Sequence, residues 1–315
     1  MTDVGIGISM SGSGKLVVNN GAITFKGEHG VKVGSGVTSA TLTNVTITGT
    51  GGQGKGVIKD GTGEMKMTDV DVSEVGTGVE VTSGNLTVSG GTMTDVGMGI
   101  RMLGSGRLTV NNNARITVKN GVGNYGIGVG GTVNATITGV EIKGTNGGTG
   151  KGVWMESSGK MTINGGSMTG VAMGVEATNG TLEIKGGTTI VFNNGNGNYG
   201  VKVGSGVTAN LTNVVIRGEG SGKGVLMNGK TLGMTNVQIS DVAMGVEAKK
   251  GGTLTIKEGS IGFKKDYGIG VWGTATANIT GTTIRGEGSG KGVYATGVGK
   301  LTLTMTGVNI SNVAM

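Results

Sequence analysis

Four glycine-rich loops ending in lysine are the segments of this chain that most resemble reactive machinery: Gly51-Gly52-Gln53-Gly54-Lys55, Gly147-Gly148-Thr149-Gly150-Lys151, Gly218-Glu219-Gly220-Ser221-Gly222-Lys223, and a near twin before Lys291. A phosphate-binding loop of this kind needs Ser or Thr after the lysine to hold magnesium, and a helix start to present its amides. Here Gly56, Gly152, Gly224 and Gly292 follow, and a strand pattern comes next, so nucleotide binding is not expected. The single histidine, His29, stands where equivalent segments carry Tyr125, Tyr199 and Tyr267, which reads as one variant of a packed ring rather than an acid–base group. Enzymes that cleave acidic polysaccharides use clustered carboxylates in a groove. The nearest aspartate pair, Asp69 and Asp71, only flanks the core position Val70, in a segment that recurs elsewhere without acids. No calcium-binding nonapeptide series is present. The sequence therefore predicts no catalytic residue, no metal ligand and no cofactor.

The elements that must carry these residues are set by a glycine beat. Gly7, Gly30, Gly56, Gly78, Gly99, Gly126, Gly152, Gly174, Gly200, Gly224, Gly245, Gly268 and Gly292 each precede Val or Ile, at intervals of 21 to 27 residues. A unit of that length cannot bury its own apolar face and must stack on copies of itself. After Gly99 the runs Ile100-Arg101-Met102, Leu108-Thr109-Val110 and Ile116-Thr117-Val118 alternate apolar and polar with period two, the mark of half-buried strands. Three such strands per unit predict an all-β parallel β-helix of about 13 rungs over residues 1–315. Corners are expected where Asn, Asp and Gly interchange, at Asn44, Gly139, Asn213 and Gly281 and at Asp69, Asn236 and Gly307, because these types tolerate the left-handed backbone region.

The rungs fall into three classes by the residue before the glycine: Met or a variant, His/Tyr, and Lys. The true repeat is a three-rung cassette of about 71 to 75 residues. The residue after each Val or Ile is expected to point outward, and in the lysine class it is apolar: Ile58, Trp154, Leu226 and Tyr294. These four are candidate partner-binding residues, unless neighbouring loops cover them. A second candidate surface is Lys249, Lys250, Lys257, Lys264 and Lys265, opposed by Glu258 and Asp266; the competing reading is a solvated face that keeps the solenoid soluble.

Composition narrows the class of protein. Of 315 residues 72 are glycine, proline and cysteine are absent, and the net charge of +7 is spread along the chain. That spread argues against nucleic acid and permits acidic partners such as sulfated glycans or anionic lipid headgroups. Without cysteine there is no disulfide framework and no thiol nucleophile. No apolar run is long enough to span a bilayer, so membrane insertion by this segment is not expected. The closing Asn312-Val313-Ala314-Met315 repeats the lead-in to Gly174 and Gly245, which suggests a piece of a longer chain.

The strings Gly-Ser-Gly-Lys-Gly-Val-Tyr, Asp-Val-Ala-Met-Gly-Val-Glu-Ala and Tyr-Gly-Val-Lys-Val-Gly-Ser-Gly-Val-Thr resemble the passenger domains of bacterial autotransporters, in a group carried by vessel-colonising alphaproteobacteria. The resemblance implies a right-handed β-helix exported unfolded, secreted or held at the bacterial surface, with a signal peptide and translocator barrel outside this sequence. It further implies a non-enzymatic virulence factor that engages a host cell-surface receptor or glycan, as a pro-angiogenic ligand or an adhesin. A polysaccharide-degrading β-helix and a passive stalk are the alternatives. The receptor, the binding face and the oligomeric state are not specified by the residues.

Overall fold

The computed structural model describes residues 1–145 and 147–314. It is a parallel β-solenoid of about 13 turns, without helices among the described residues. The chain forms two compact units, Met1–Met161 and Thr162–Met315. In the first, one turn runs through the strands Tyr125–Val129, Asn134–Thr138 and Glu141–Gly144, and the next turn opens with Lys151–Met155. In the second, Lys223–Met227, Thr231–Thr235 and Gln238–Val242 make a turn, and Met244–Ala248 opens the next.

Each unit is held together by columns of like residues in register. In the first unit Ile8, Val31, Val57, Val79, Ile100, Ile127 and Val153 stack along one inward column. In the second, Val175, Val201, Val225, Val246, Ile269 and Val293 do the same. Parallel in-register pairing brings equivalent β-branched side chains into contact, which is why short strands with small apolar residues suffice for a continuous core.

The glycine beat arises from this packing and not from turn geometry. A Cβ on Gly126 would lie 2.6 Å from Ile142 Cγ2 and 2.8 Å from the Gly152 carbonyl oxygen. Gly224 is equivalent, with Ile239 Cγ2 at 2.5 Å and the Gly245 oxygen at 2.6 Å. The first strand thus enters directly above an apolar third-strand side chain, isoleucine in most rungs but Val72 at Gly56 and Met93 at Gly78, where only a bare backbone fits.

The corners lie where exchange among Asn, Asp and Gly predicts them. Asn44, Asp69, Gly139, Asn213, Asn236, Gly281 and Gly307 all have φ between 49° and 63°. The asparagines also pair across rungs, Asn44 Nδ2 donating to Asn20 Oδ1 and Asn236 Nδ2 to Asn213 Oδ1, both at 2.8 Å. A second left-handed position was not expected: Asp3, Glu74, Asp95, Gly170, Asp241 and Asn312, each just before a valine, have φ of 53° to 65°. At Asp95, Gly170 and Asp241 the register against the following rung shifts by one residue, which marks a β-bulge.

Lys59 brings a charge to an inward strand position. Lys59 pairs in register between Val33 and Val81 and is 1% exposed. Its ammonium reaches the carbonyl oxygens of Gly61 and Ser83 at 2.6 and 2.7 Å, and burial pulls its pKa below the usual lysine value. No helix in the described residues is long and apolar enough to cross a membrane.

Candidate functional site

The outward column of the first strand gathers most of the side chains with binding chemistry. In the first unit it reads Ser9, Lys32, Ile58, Glu80, Arg101, Gly128, Trp154. In the second it reads Glu176, Lys202, Leu226, Glu247, Gly270, Tyr294. All four apolar candidates, Ile58, Trp154, Leu226 and Tyr294, are half-buried, and register pairing places each against the preceding rung's Lys32, Gly128, Lys202 or Gly270. Ile58 also lines a hollow with Gly27, Glu28, Gln53, Gly54 and Lys55.

An alternation in this column explains which residue is aromatic. Where the preceding rung offers lysine, the lysine-class rung answers with an aliphatic, Ile58 or Leu226. Where it offers glycine, the answer is a ring, Trp154 or Tyr294. A Cβ on Gly128 would lie 2.3 Å from the Tyr125 ring, and on Gly270 2.1 Å from the Trp272 ring and 2.6 Å from the Tyr267 ring. The glycine clears the sheet surface so that rings lie across it. Tyr125 then meets Trp154 with centroids 5.4 Å apart. In the second unit Tyr267, Trp272 and Tyr294 form a tilted series, at 4.9 and 5.9 Å.

Carboxylates in the same column collect the cations. Glu80 accepts from Lys55 Nζ at 2.7 Å and Arg101 Nη1 at 2.9 Å. Glu176 accepts from Lys202 at 2.7 Å. Glu247 is 3% exposed and is bound by Lys223, by Lys249 at 3.1 Å and by the Tyr267 hydroxyl at 2.6 Å. Burial alone would raise the Glu80 and Glu247 carboxyls; hydrogen bonds from these partners outweigh it and hold both below the usual glutamate range. Tyr199 and Tyr267 are pushed far up by burial and by the adjoining Glu176 and Glu247. His29 is 4% exposed with both ring nitrogens unpartnered, and burial followed by the Lys32 charge lowers its pKa.

Residues 29–194 match the right-handed beta helix region family. The chain belongs to that family. No curated protein and no solved structure matches it significantly.

Along this right-handed β-helix the second candidate surface separates into three places. Lys249 and Lys250 sit in the loop after Met244–Ala248, Lys257 ends the strand Thr253–Lys257, and Lys264 and Lys265 follow Ser260–Phe263. Lys249 joins the Glu247 cluster, and Lys264 pairs with Asp241 at 3.1 Å and Glu287 at 3.7 Å. The five lysines therefore line different corners of one turn instead of one patch.

The β-helix also occupies the aspartate pair structurally. Asp71 Oδ1 accepts from the Thr92 amide at 2.8 Å and its hydroxyl at 2.6 Å, while Asp69 takes a corner. Among the described residues no group of three or more His, Cys, Asp or Glu is arranged to hold a metal ion. Strand alternation places the two column glycines, Gly128 and Gly270, outward without giving them a role, and it does not single out Trp272. A sequence signal for them exists: the pentapeptide Tyr-Gly-Ile-Gly-Val occurs at 125–129 and again at 267–271, each followed one rung later by Lys-Gly-Val and a ring.

Proposed function

We propose that this β-helix is an exported passenger that engages the surface of a host cell, as a secreted ligand of an endothelial receptor or as an adhesin. The observation that carries the reading is the outward column, where carboxylate, lysine and apolar or aromatic side chains recur in register in both units. A repeated display of one surface chemistry suits contact with an extended or multivalent partner. The family is compatible with it, and the passenger-like strings point the same way. Secretion or surface display, without a catalytic residue or cofactor, belongs to the same reading.

A polysaccharide-cleaving β-helix is the competing reading; Asp71, its best carboxylate, is engaged in rung-to-rung hydrogen bonds. Purified protein added to endothelial cells is expected to bind and to raise receptor phosphorylation and proliferation. Binding without signalling would leave the adhesin, and no binding at all would leave a passive stalk. Release of sugar from an acidic polysaccharide, lost in Asp71→Asn, would overturn the reading in favour of the enzyme.

A further inference from the structure

From the aromatic and cationic side chains of the second unit we infer a binding site for an anionic saccharide, centred on Trp272 and Tyr294 and flanked by Lys249 and Lys291. The inference rests on the cell-surface reading above and names the ligand chemistry for it.

Four features carry it. Gly270 leaves the sheet surface bare, so Tyr267 and Trp272 lie across it, and Tyr294 of the next rung continues the series at 5.9 Å from Trp272. Tyr267 is buried and fixed by its hydrogen bond to Glu247, which sets the platform's tilt; Trp272 and Tyr294 remain half-exposed. A lysine lies over each half-exposed ring, with Lys249 Nζ 5.8 Å from the Trp272 centroid and Lys291 Nζ 4.3 Å from that of Tyr294. The charge is unbalanced: Glu247 already serves Lys223 and Lys249, while exposed Lys291 has no ion pair among the described residues.

Pre-positioned rings offer apolar faces to the C–H face of a pyranose with little loss of side-chain freedom. The ammonium groups over the rings, of which only that of Lys249 also serves a carboxylate, favour sulfate or carboxylate substituents over neutral sugars. The lysine-bearing rungs lack both features together, since Lys202 occupies the place of Gly270 and Leu226 that of Tyr294.

The test is calorimetric titration of the whole chain with a heparin-derived hexasaccharide, maltohexaose and polyglutamate. The sulfated sugar is expected to bind saturably and the other two at least tenfold more weakly. Trp272→Ala and Tyr294→Ala should each weaken binding about tenfold or more, with Trp272→Phe recovering most of it; circular dichroism would confirm that each variant is folded. Lys291→Ala should weaken binding and flatten its salt dependence, whereas Lys15→Ala, the same charge change at an exposed site in the first unit, should match wild type. Unchanged affinity in the two alanine variants, equal loss in Lys15→Ala, or equal binding of maltohexaose or polyglutamate would overturn the site. If the protein binds cells but not the hexasaccharide, the site fails and the cell-surface reading stands. Hexasaccharide binding without cell binding would keep the site and overturn the cell-surface reading.

Discussion

The two units build the same outward column and settle its charges differently. In Met1–Met161 the residue in register with Gly128 is Arg101, and the carboxylate lies one rung further back at Glu80. Glu80 takes Lys55 and Arg101, and the buried Tyr125 hydroxyl, although near Arg101, is left without a hydrogen-bond partner. In Thr162–Met315 the residue in register with Gly270 is Glu247, so the tyrosine at the matching place, Tyr267, donates directly to a carboxylate. One exchange of Glu for Arg thus moves a buried ion cluster by a rung and orphans a hydroxyl. The backbone register tolerates it because the column lies outside the apolar core, where partners are chosen by reach.

The largest expected effect comes from removing the shared carboxylate. Glu247→Ala leaves Lys223 and Tyr267 without their acceptor at a nearly inaccessible site and should cost about 3–5 kcal/mol in denaturant unfolding. Glu80→Ala, at a more solvated position, should cost clearly less. Equal losses would break the contrast between the units.

The tyrosines sharpen it further. Tyr267→Phe should cost about 1–3 kcal/mol, because a buried carboxylate loses a donor. Tyr125→Phe removes an unpaired buried hydroxyl and should stabilise by about 1 kcal/mol. The sign difference, read from paired melts, is the decisive quantity.

Lys59 tests whether an inward charge of the first unit contributes to stability. Met102 and Met155 stand in the same column, so Lys59→Met should pack and leave stability within about 1 kcal/mol of wild type at neutral pH. Its folded pKa is lowered, so the penalty for burying the ammonium is present at neutral pH and eases as pH rises toward the ordinary lysine value of 10.5. Wild type should therefore gain relative stability in alkali, and the methionine variant should lose that slope.

The smallest effect is at His29. Its folded pKa is also lowered, so full stability holds above the unfolded value of 6.5 and declines as pH falls below it. His29→Tyr, which copies the other cassettes, should remove this slope between pH 7 and 5 in thermal melts. Persistence of the slope would place its origin elsewhere.

Much of the fold was legible because a solenoid writes its geometry locally. Asn44, Asp69 and Asn213 announced left-handed corners by exchanging with glycine, and all of them adopt that conformation. The bulge at Asp241 was not legible, because its signature, an acid before valine, looks like an ordinary exposed strand residue until the next rung's register is known. The outward direction of Ile58, Trp154, Leu226 and Tyr294 followed from period two alone. Their environment did not, because half of it is supplied from the preceding rung, some 24 to 26 residues earlier.

By itself the sequence determined the strand period, the rung length, the corners and the three-rung cassette, since each depends on backbone propensity and alternation within a few residues. Only the tertiary structure decided that the glycine beat marks a close approach over a third-strand apolar side chain, that Lys59 lies in the core, and that Tyr267, Trp272 and Tyr294 share one surface. Those facts depend on which residues of successive rungs fall in register, and parallel stacking sets that register across gaps longer than any local signal spans.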